Sequence, residues 1–176
     1  PAGAEAVVAA GCRSGAVITT GVGLHDGPVA EHALGLILAA ARRLDLALDA
    51  QRAHRWATEL TLNQPLGNTE RFTMVAGSRI VIWGFGGIGQ RLASYLAPLG
   101  AEVIGVAQSA GTRAGFPVVT AAELPDSRPR TDVLVNILPA TPETAGIVDA
   151  DILAQPPRQA WLVNVGRGAT VDEAAL

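Results

Sequence analysis

The sequence predicts an α/β fold, a doubly wound parallel sheet covered on both faces by helices. Three observations carry that expectation. From residue 79 onward, apolar runs of strand length alternate with segments of helical period, the pattern of parallel strands joined by crossover helices. The run at 133–138 is apolar at five of its six positions, as a strand buried on both faces is. Between the run at 80–83 and the helical segment after it lie Gly84, Gly86, Gly87 and Gly89, which mark a tight strand-to-helix turn.

Residues 6–10 and 16–20 are β-rich apolar runs parted by the polar turn 11–15, and they read as short strands. From Pro28, the positions Val29, Ala30, Ala33, Leu34, Ile37, Leu38, Ala41, Leu44 and Leu48 recur at spacings of three and four, which predicts one helix with Pro28 in its first turn. Between Ala33 and Ala41 apolar residues nearly encircle it, so burial on several sides, between domains or subunits, is expected. Trp56, Pro65, Gly67, Asn68 and Gly77 break any period over 55–77, leaving an extended arm. There follow a strand at 80–83, a helix at 88–96, a strand at 102–106 and a short strand near Val118. Next come a helical turn opened by the capping box Thr120-Ala121-Ala122-Glu123, the strand at 133–138, a helix at 149–153 and a strand at 161–165.

Hydrophobic residues make up 49% of the chain, enough for one sizeable core. The longest apolar stretch, 33–41, stops at Arg42 and Arg43, well short of the roughly 18 apolar residues of a membrane span. A membrane partner is therefore not expected. The net charge of -3, without a basic cluster, lacks the electrostatic footprint of a nucleic-acid binder. All 13 basic residues are arginines, so the chain can build neither a lysine Schiff base nor a lysine-bearing phosphate loop. Cys12 stands alone, with no partner for a disulfide or a metal site, and no basic segment precedes an apolar one at the start. A reducing, cytoplasmic setting without a metal is the expectation. The chain opens on Pro1 and its one methionine is Met74, which predicts a fragment that has lost upstream sequence.

Gly84-Phe85-Gly86-Gly87-Ile88-Gly89 has the spacing G-x-G-x-x-G, a weak pattern alone but a strong one between an apolar strand and an amphipathic helix. The first glycine permits the turn, the second lets backbone amides approach a pyrophosphate, and the third lets helix and strand pack closely. A dinucleotide cofactor is expected, its pyrophosphate at the helix N-terminus. An acidic residue about 20 positions on would take the adenosine ribose hydroxyls. That place holds Ala107-Gln108-Ser109, with no carboxylate, while Ser109, Thr112 and Arg113 offer hydrogen bonds and charge to a 2′-phosphate. NAD or NADP is expected, with NADP favoured; a solvated loop arginine is the competing reading of Arg113.

Beyond this turn, three segments resemble the D-2-hydroxyacid dehydrogenase family, in particular its phosphoglycerate dehydrogenase and glyoxylate/hydroxypyruvate reductase branches. They are HDGPVAEHALGLILAAARRL at 25–44, GSRIVIWGFGGIGQRLASYLAPLGAEVIGV at 77–106, and DVLVNILPATPETAGIV at 132–148 with WLVNVGRGATVDEAAL at 161–176. The resemblance implies a Rossmann domain at 26–176, with 1–25 a remnant of a substrate domain and its crossover. It implies an NAD(P)-dependent oxidoreductase moving hydride between nicotinamide and C2 of a 2-hydroxy or 2-keto acid. Arg167 matches the family's arginine that grips the substrate carboxylate, a role that suits a planar guanidinium at the C-terminal end of a strand. The resemblance also sets Leu138, Pro139 and Thr144 beside the cofactor and the backbone of Val165 and Gly166 against the nicotinamide. His25, His32 and His54 all precede the glycine turn, whereas the family's acid/base histidine and its glutamate fall downstream, so none of the three is given that role. Thr170-Val171-Asp172-Glu173 reads as a second capping box, making Asp172 and Glu173 helix-start residues. The helix from Pro28 and the arm after it are the implied homodimer contact. The rival reading is a non-enzymatic, corepressor-like sensor of dinucleotide.

Overall fold

The computed structural model describes residues 8–11, 17, 19, 21–60, 67, 68, 70–124 and 130–176. Six strands form one sheet: β1 (Arg79–Trp83), β2 (Glu102–Val106), β3 (Gly111–Arg113), β4 (Phe116–Val119), β5 (Val133–Asn136) and β6 (Trp161–Asn164). Their order is β3-β4-β2-β1-β5-β6. All neighbours run parallel except β3 and β4. The chain winds outward from β1 through β2 to β4, then returns to the other side of β1 for β5 and β6, which is the predicted doubly wound arrangement.

Alternation along β1 divides the core. Ile80 and Ile82 point to one face with Val133 and Val135 of β5, and there they meet helix α1 (Asp26–Arg42) through Ala30, Ala33 and Ile37 and helix α3 (Gly87–Leu96) through Leu92 and Leu96. Val81 and Trp83 point to the other face, where Leu134, Leu124, Val148 and Val171 cover them. Each large side chain fully buried this way contributes about 1.5–3 kcal/mol. The alanines of α1 let it lie close on α3, and Asp26 in its first turn and Arg42 in its last complement the helix dipole.

Several expectations need correction. Residues 8–11 are helical, and Val17 and Thr19 lie in no strand; the remainder of those two predicted strands falls outside the described residues. Val8-Ala9-Ala10 holds two alanines, whose helix preference outweighs the β reading. The single helix read from 28 to 48 is two, because Arg43 adopts a left-handed conformation (φ 49°) that ends α1 and starts helix α2 (Leu44–Arg52). Within this chain α1 buries one stripe only, and Leu36, Leu38, Leu44, Leu46 and Leu48 stay exposed. Edge strand β3 is additional. It joins β4 through Ala114-Gly115, both at positive φ (50° and 85°), the conformation of a two-residue type I′ hairpin.

The last correction concerns the second capping box. Thr170 is fully buried and its hydroxyl donates to the Arg167 carbonyl (2.6 Å), while Asp172 caps the terminal turn by accepting from the Ala174 amide (3.1 Å). The other elements stand within a residue or two of their predicted places. Helix α4 (Ala150–Leu153) is capped by Asp149, whose carboxylate accepts from the Ile152 amide (2.9 Å).

Candidate cofactor-binding site

The glycine turn is shaped by close approaches on one side and open space on the other. Gly84 sits at φ 106°, and a Cβ there would stand 2.8 Å from the Ile137 carbonyl oxygen. The Gly84 and Phe85 amides both donate to the Val106 carbonyl (3.0 and 3.2 Å), tying the turn to β2. The Phe85 ring is buried, meets Phe116 edge-on at 6.2 Å, and fills the space a side chain on Gly105 would need. A Cβ on Gly89 would lie 2.6 Å from the Gly84 carbonyl oxygen, so Gly89 brings helix and strand together. Gly86 differs: it is exposed and extended (φ -87°, ψ -155°), and a methyl placed there would meet nothing within 4 Å. That opening faces the first turn of α3, where helix amides have no intrahelical acceptor and attract an anion.

A cavity of about 920 Å³ extends from this opening across the C-terminal ends of β1, β2 and β5, the point where the sheet order reverses. Its wall includes ten of the residues singled out from sequence: Gly84, Phe85, Gly86, Gly87, Ile88, Ser109, Arg113, Leu138, Pro139 and Thr144. Gly89 packs beneath it. Val165, Gly166 and Arg167 are not on the wall, but Gly166 backs directly onto it, since a Cβ there would stand 2.7 Å from the Leu138 carbonyl oxygen. The size and the bare glycine rim fit a dinucleotide.

At the end beyond β2, Arg113 reaches back from β3 and donates through Nη2 to the Ser109 hydroxyl (2.8 Å) and carbonyl (3.2 Å). The antiparallel hairpin that sequence reading missed is what aims Arg113 here. Thr120, on the same wall, donates its amide (2.7 Å) and hydroxyl (2.9 Å) to Glu123, and those bonds, the amide's first, hold the Glu123 carboxyl below the ordinary carboxylate range. On the β5 side, the Thr144 hydroxyl donates to the Pro139 carbonyl (2.6 Å) and accepts from the Thr141 amide (2.8 Å), which folds the loop against the cavity.

Sequence reading missed Asp26, Gln108, Thr120 and Thr141 on this wall. Asp26 opens α1 and presses its carboxylate against Gly87, in the space a side chain there would occupy. Only the acidic first turn of α1 signalled it, and that carries no hint of a contact 61 positions away.

At the other end, Arg167 leaves β6 in extended backbone (φ -131°, ψ 139°) with its side chain exposed, and Nη1 donates to the Gly166 carbonyl (3.0 Å). His25, His32 and His54 are exposed and do not line the cavity, although His25 directly precedes Asp26 on its wall. Among the described residues no group of three or more His, Cys, Asp or Glu is disposed to hold a metal ion, and no helix is long and apolar enough to cross a membrane.

Residues 34–176 match the family model described as D-isomer specific 2-hydroxyacid dehydrogenase, NAD binding domain. The chain belongs to this family. Among curated 2-hydroxyacid dehydrogenases it is 36% identical over 151 residues to D-3-phosphoglycerate dehydrogenase of Mycobacterium bovis, covering 84% of this chain and 26% of that protein. It is 33% identical to glyoxylate/hydroxypyruvate reductase A of Klebsiella pneumoniae, covering 83% of this chain and 44% of the relative. The chain thus spans between a quarter and half of the relatives it matches. Among solved 2-hydroxyacid dehydrogenase structures, phosphoglycerate dehydrogenase from Lactobacillus plantarum superposes with a TM-score of 0.74 at 30% identity, covering 96% of this chain and 52% of that one. An enzyme from Xanthobacter autotrophicus in complex with NADPH gives 0.71 at 31% identity, covering 87% and 45%. NAD-dependent formate dehydrogenase from Staphylococcus aureus in complex with NAD gives 0.73 at 26%, covering 87% and 44%.

Proposed function

We propose that this chain is the dinucleotide-binding domain of an NAD(P)-dependent 2-hydroxyacid dehydrogenase that acts on a small 2-keto or 2-hydroxy acid, with residues 1–25 belonging to its substrate domain. The observation that carries the reading is the open Gly86 rim at the α3 N-terminus, joined through Leu138 and Gly166 to the Arg167 turn. In this reading the amides of Gly87 and Ile88 hold the pyrophosphate, Leu138, Pro139 and Thr144 lie beside the cofactor, and the backbone of Val165 and Gly166 stands against the nicotinamide. When bound, the dinucleotide supplies or accepts the hydride at C2. Arg167 holds the substrate carboxylate through paired N–H bonds and steadies the negative charge that develops on the C2 oxygen.

The adenosine end favours NADP. Arg113 and Ser109 converge on one cavity wall, and the Ala107-Gln108-Ser109 run after β2 offers no carboxylate to repel a 2′-phosphate. Two copies pair through α1, whose exposed leucines continue onto α2.

Calorimetric titration with NADPH and NADH tests the cofactor reading. Expected is binding of both with NADPH at least about tenfold tighter, a difference of one well-made charged contact. Equal affinities would remove the preference, and no binding of either would remove the reading. Turnover of a panel of 2-keto acids by the full-length protein then separates the enzyme from a cofactor sensor.

A further inference from the structure

A buried polar cluster lies between the cavity and the Arg167 turn. Asn136, at the end of β5, and Thr170 are both 0% exposed. The Asn136 side chain donates through Nδ2 to the Thr170 hydroxyl (2.6 Å) and to Asn164 Oδ1 (3.3 Å), and its Oδ1 accepts from the Leu138 amide (3.2 Å). Its backbone carbonyl accepts from the Val165 and Gly166 amides (3.0 and 3.1 Å). The Thr170 hydroxyl donates in turn to the Arg167 carbonyl at 2.6 Å, which also accepts from the Thr170 amide (3.1 Å) and from Asn164 Nδ2 (3.3 Å). Asn164 Oδ1 closes the ring by accepting from the Gly166 amide (3.0 Å).

Two apolar side chains in place of Asn136 and Thr170 would suffice to fill this space, and buried polar groups are costly unless fully paired. Here the pairing is complete, and every bond ends on one of two segments: the cavity wall at Leu138 or the turn 164–170. Three donors on the single Arg167 carbonyl fix the backbone from which that exposed side chain springs. The guanidinium itself is held by one neighbouring carbonyl, so its aim depends on that backbone.

We infer that Asn136, Thr170 and Asn164 form a latch that positions Arg167 toward a substrate carboxylate while registering it against the cofactor wall at Leu138. The inference rests on the reading of Arg167 as the carboxylate-binding residue. Asn136 and Thr170 are positioning residues, since neither faces the reacting atoms. The latch works as an acceptor-donor relay: Thr170 accepts from Asn136 and in turn donates to Arg167, so removing one hydroxyl breaks both ends at once.

The test uses the full-length protein and Thr170→Val, which keeps the shape and removes the hydroxyl, with Thr170→Ser restoring it. Asn164→Ala, at an exposed position, serves as a second variant that does not burden the core. NADPH affinity is measured by titration, oxalate affinity for the NADPH complex by calorimetry, and KM and kcat with the 2-keto acid that the wild type turns over. Expected for Thr170→Val are NADPH affinity within about twofold of wild type, oxalate dissociation constant and KM raised about tenfold, and recovery in Thr170→Ser. Asn164→Ala moves the same quantities in the same direction. Wild-type behaviour in both Thr170→Val and Asn164→Ala, or an equal loss of NADPH and oxalate binding, overturns the latch. A wild-type protein that binds NADPH but neither oxalate nor any 2-keto acid overturns the reading of Arg167, and the latch with it.

Discussion

Gly84 and Gly86 stand two residues apart in one motif but are glycines for opposite reasons. At Gly84 the backbone is left-handed and the neighbouring Ile137 carbonyl leaves no room for a methyl, so Gly84→Ala strains the protein itself. Left-handed backbone alone costs about 1–3 kcal/mol for a non-glycine residue. At Gly86 the backbone is extended and the methyl meets no protein atom. Gly86→Ala should therefore melt within about 1 °C of wild type, a surface change without a packing cost, while losing at least about tenfold in NADPH affinity because the methyl occupies the phosphate approach. Gly84→Ala should lower the melting temperature by several degrees. Calorimetric melting and titration read both; a Gly86→Ala protein that melts early or binds NADPH normally would sink the assignment. The motif's spacing made this turn legible in the sequence. Gly105 was equally legible in principle, since a glycine inside a strand signals a close neighbour, here the Phe85 ring. Asp26 was not, because its contact with Gly87 depends on how α1 docks on α3.

Among the elements, strands and crossover helices were readable because their apolar periods are enforced by burial on both sheet faces, as at Ile80 to Trp83. The break at Arg43 was not: the apolar spacing runs through it, and nothing in the local sequence offers the glycine that usually takes a left-handed position. The β3–β4 hairpin was hidden for a related reason, with Ala114 standing where Asn or Asp would announce a type I′ turn. Asp132 shows how strand starts are fastened. Its carboxylate accepts from the Arg79 amide (2.8 Å), its own amide donates to the Arg79 carbonyl (2.9 Å), and its carbonyl accepts from the Trp161 amide (2.9 Å). Burial is the largest influence on that carboxyl and raises its pKa against the smaller pull of the Arg79 amide. A raised pKa means that folding favours the neutral acid relative to the unfolded chain. The group's contribution to stability is thus largest below the ordinary carboxylate range, declines as pH rises to the raised value, and stays lower above it. Asp132→Asn keeps the acceptor without the charge. Urea unfolding should find it more stable than wild type at about pH 7 and no more stable at about pH 3, where the carboxyl is protonated in both states. The reverse order would show that the charged form is the one the fold favours.

Among the described residues, exposed leucines run along α1 and α2, and their location bears on assembly. The sheet is closed on both faces, and α1 spends Ala30, Ala33, Ile37, Ala40 and Ala41 on its own core. At about 100° per residue, the side turned away from that stripe carries Gly35 and Ala39, with Glu31 and His32 toward its start and Arg42 at its end, and Leu36 and Leu38 on its flanks. Leu36 and Leu38 are 39% and 38% exposed, and Leu44, Leu46 and Leu48 extend the apolar surface along α2. Small residues with leucines on either side let a second helix approach closely, and a two-fold axis through α1 would set two identical surfaces together. Such a surface marks a site of association, and an isologous contact is the arrangement that closes on itself. The expectation is a dimer of the full-length protein by sedimentation velocity. Leu38→Glu should convert it to a monomer, because two carboxylates would meet across the axis in an apolar contact, and it should leave NADPH binding intact since Leu38 is remote from the cavity wall. A Leu38→Glu protein that still sediments as a dimer would move the interface away from α1, and a wild-type monomer would remove it.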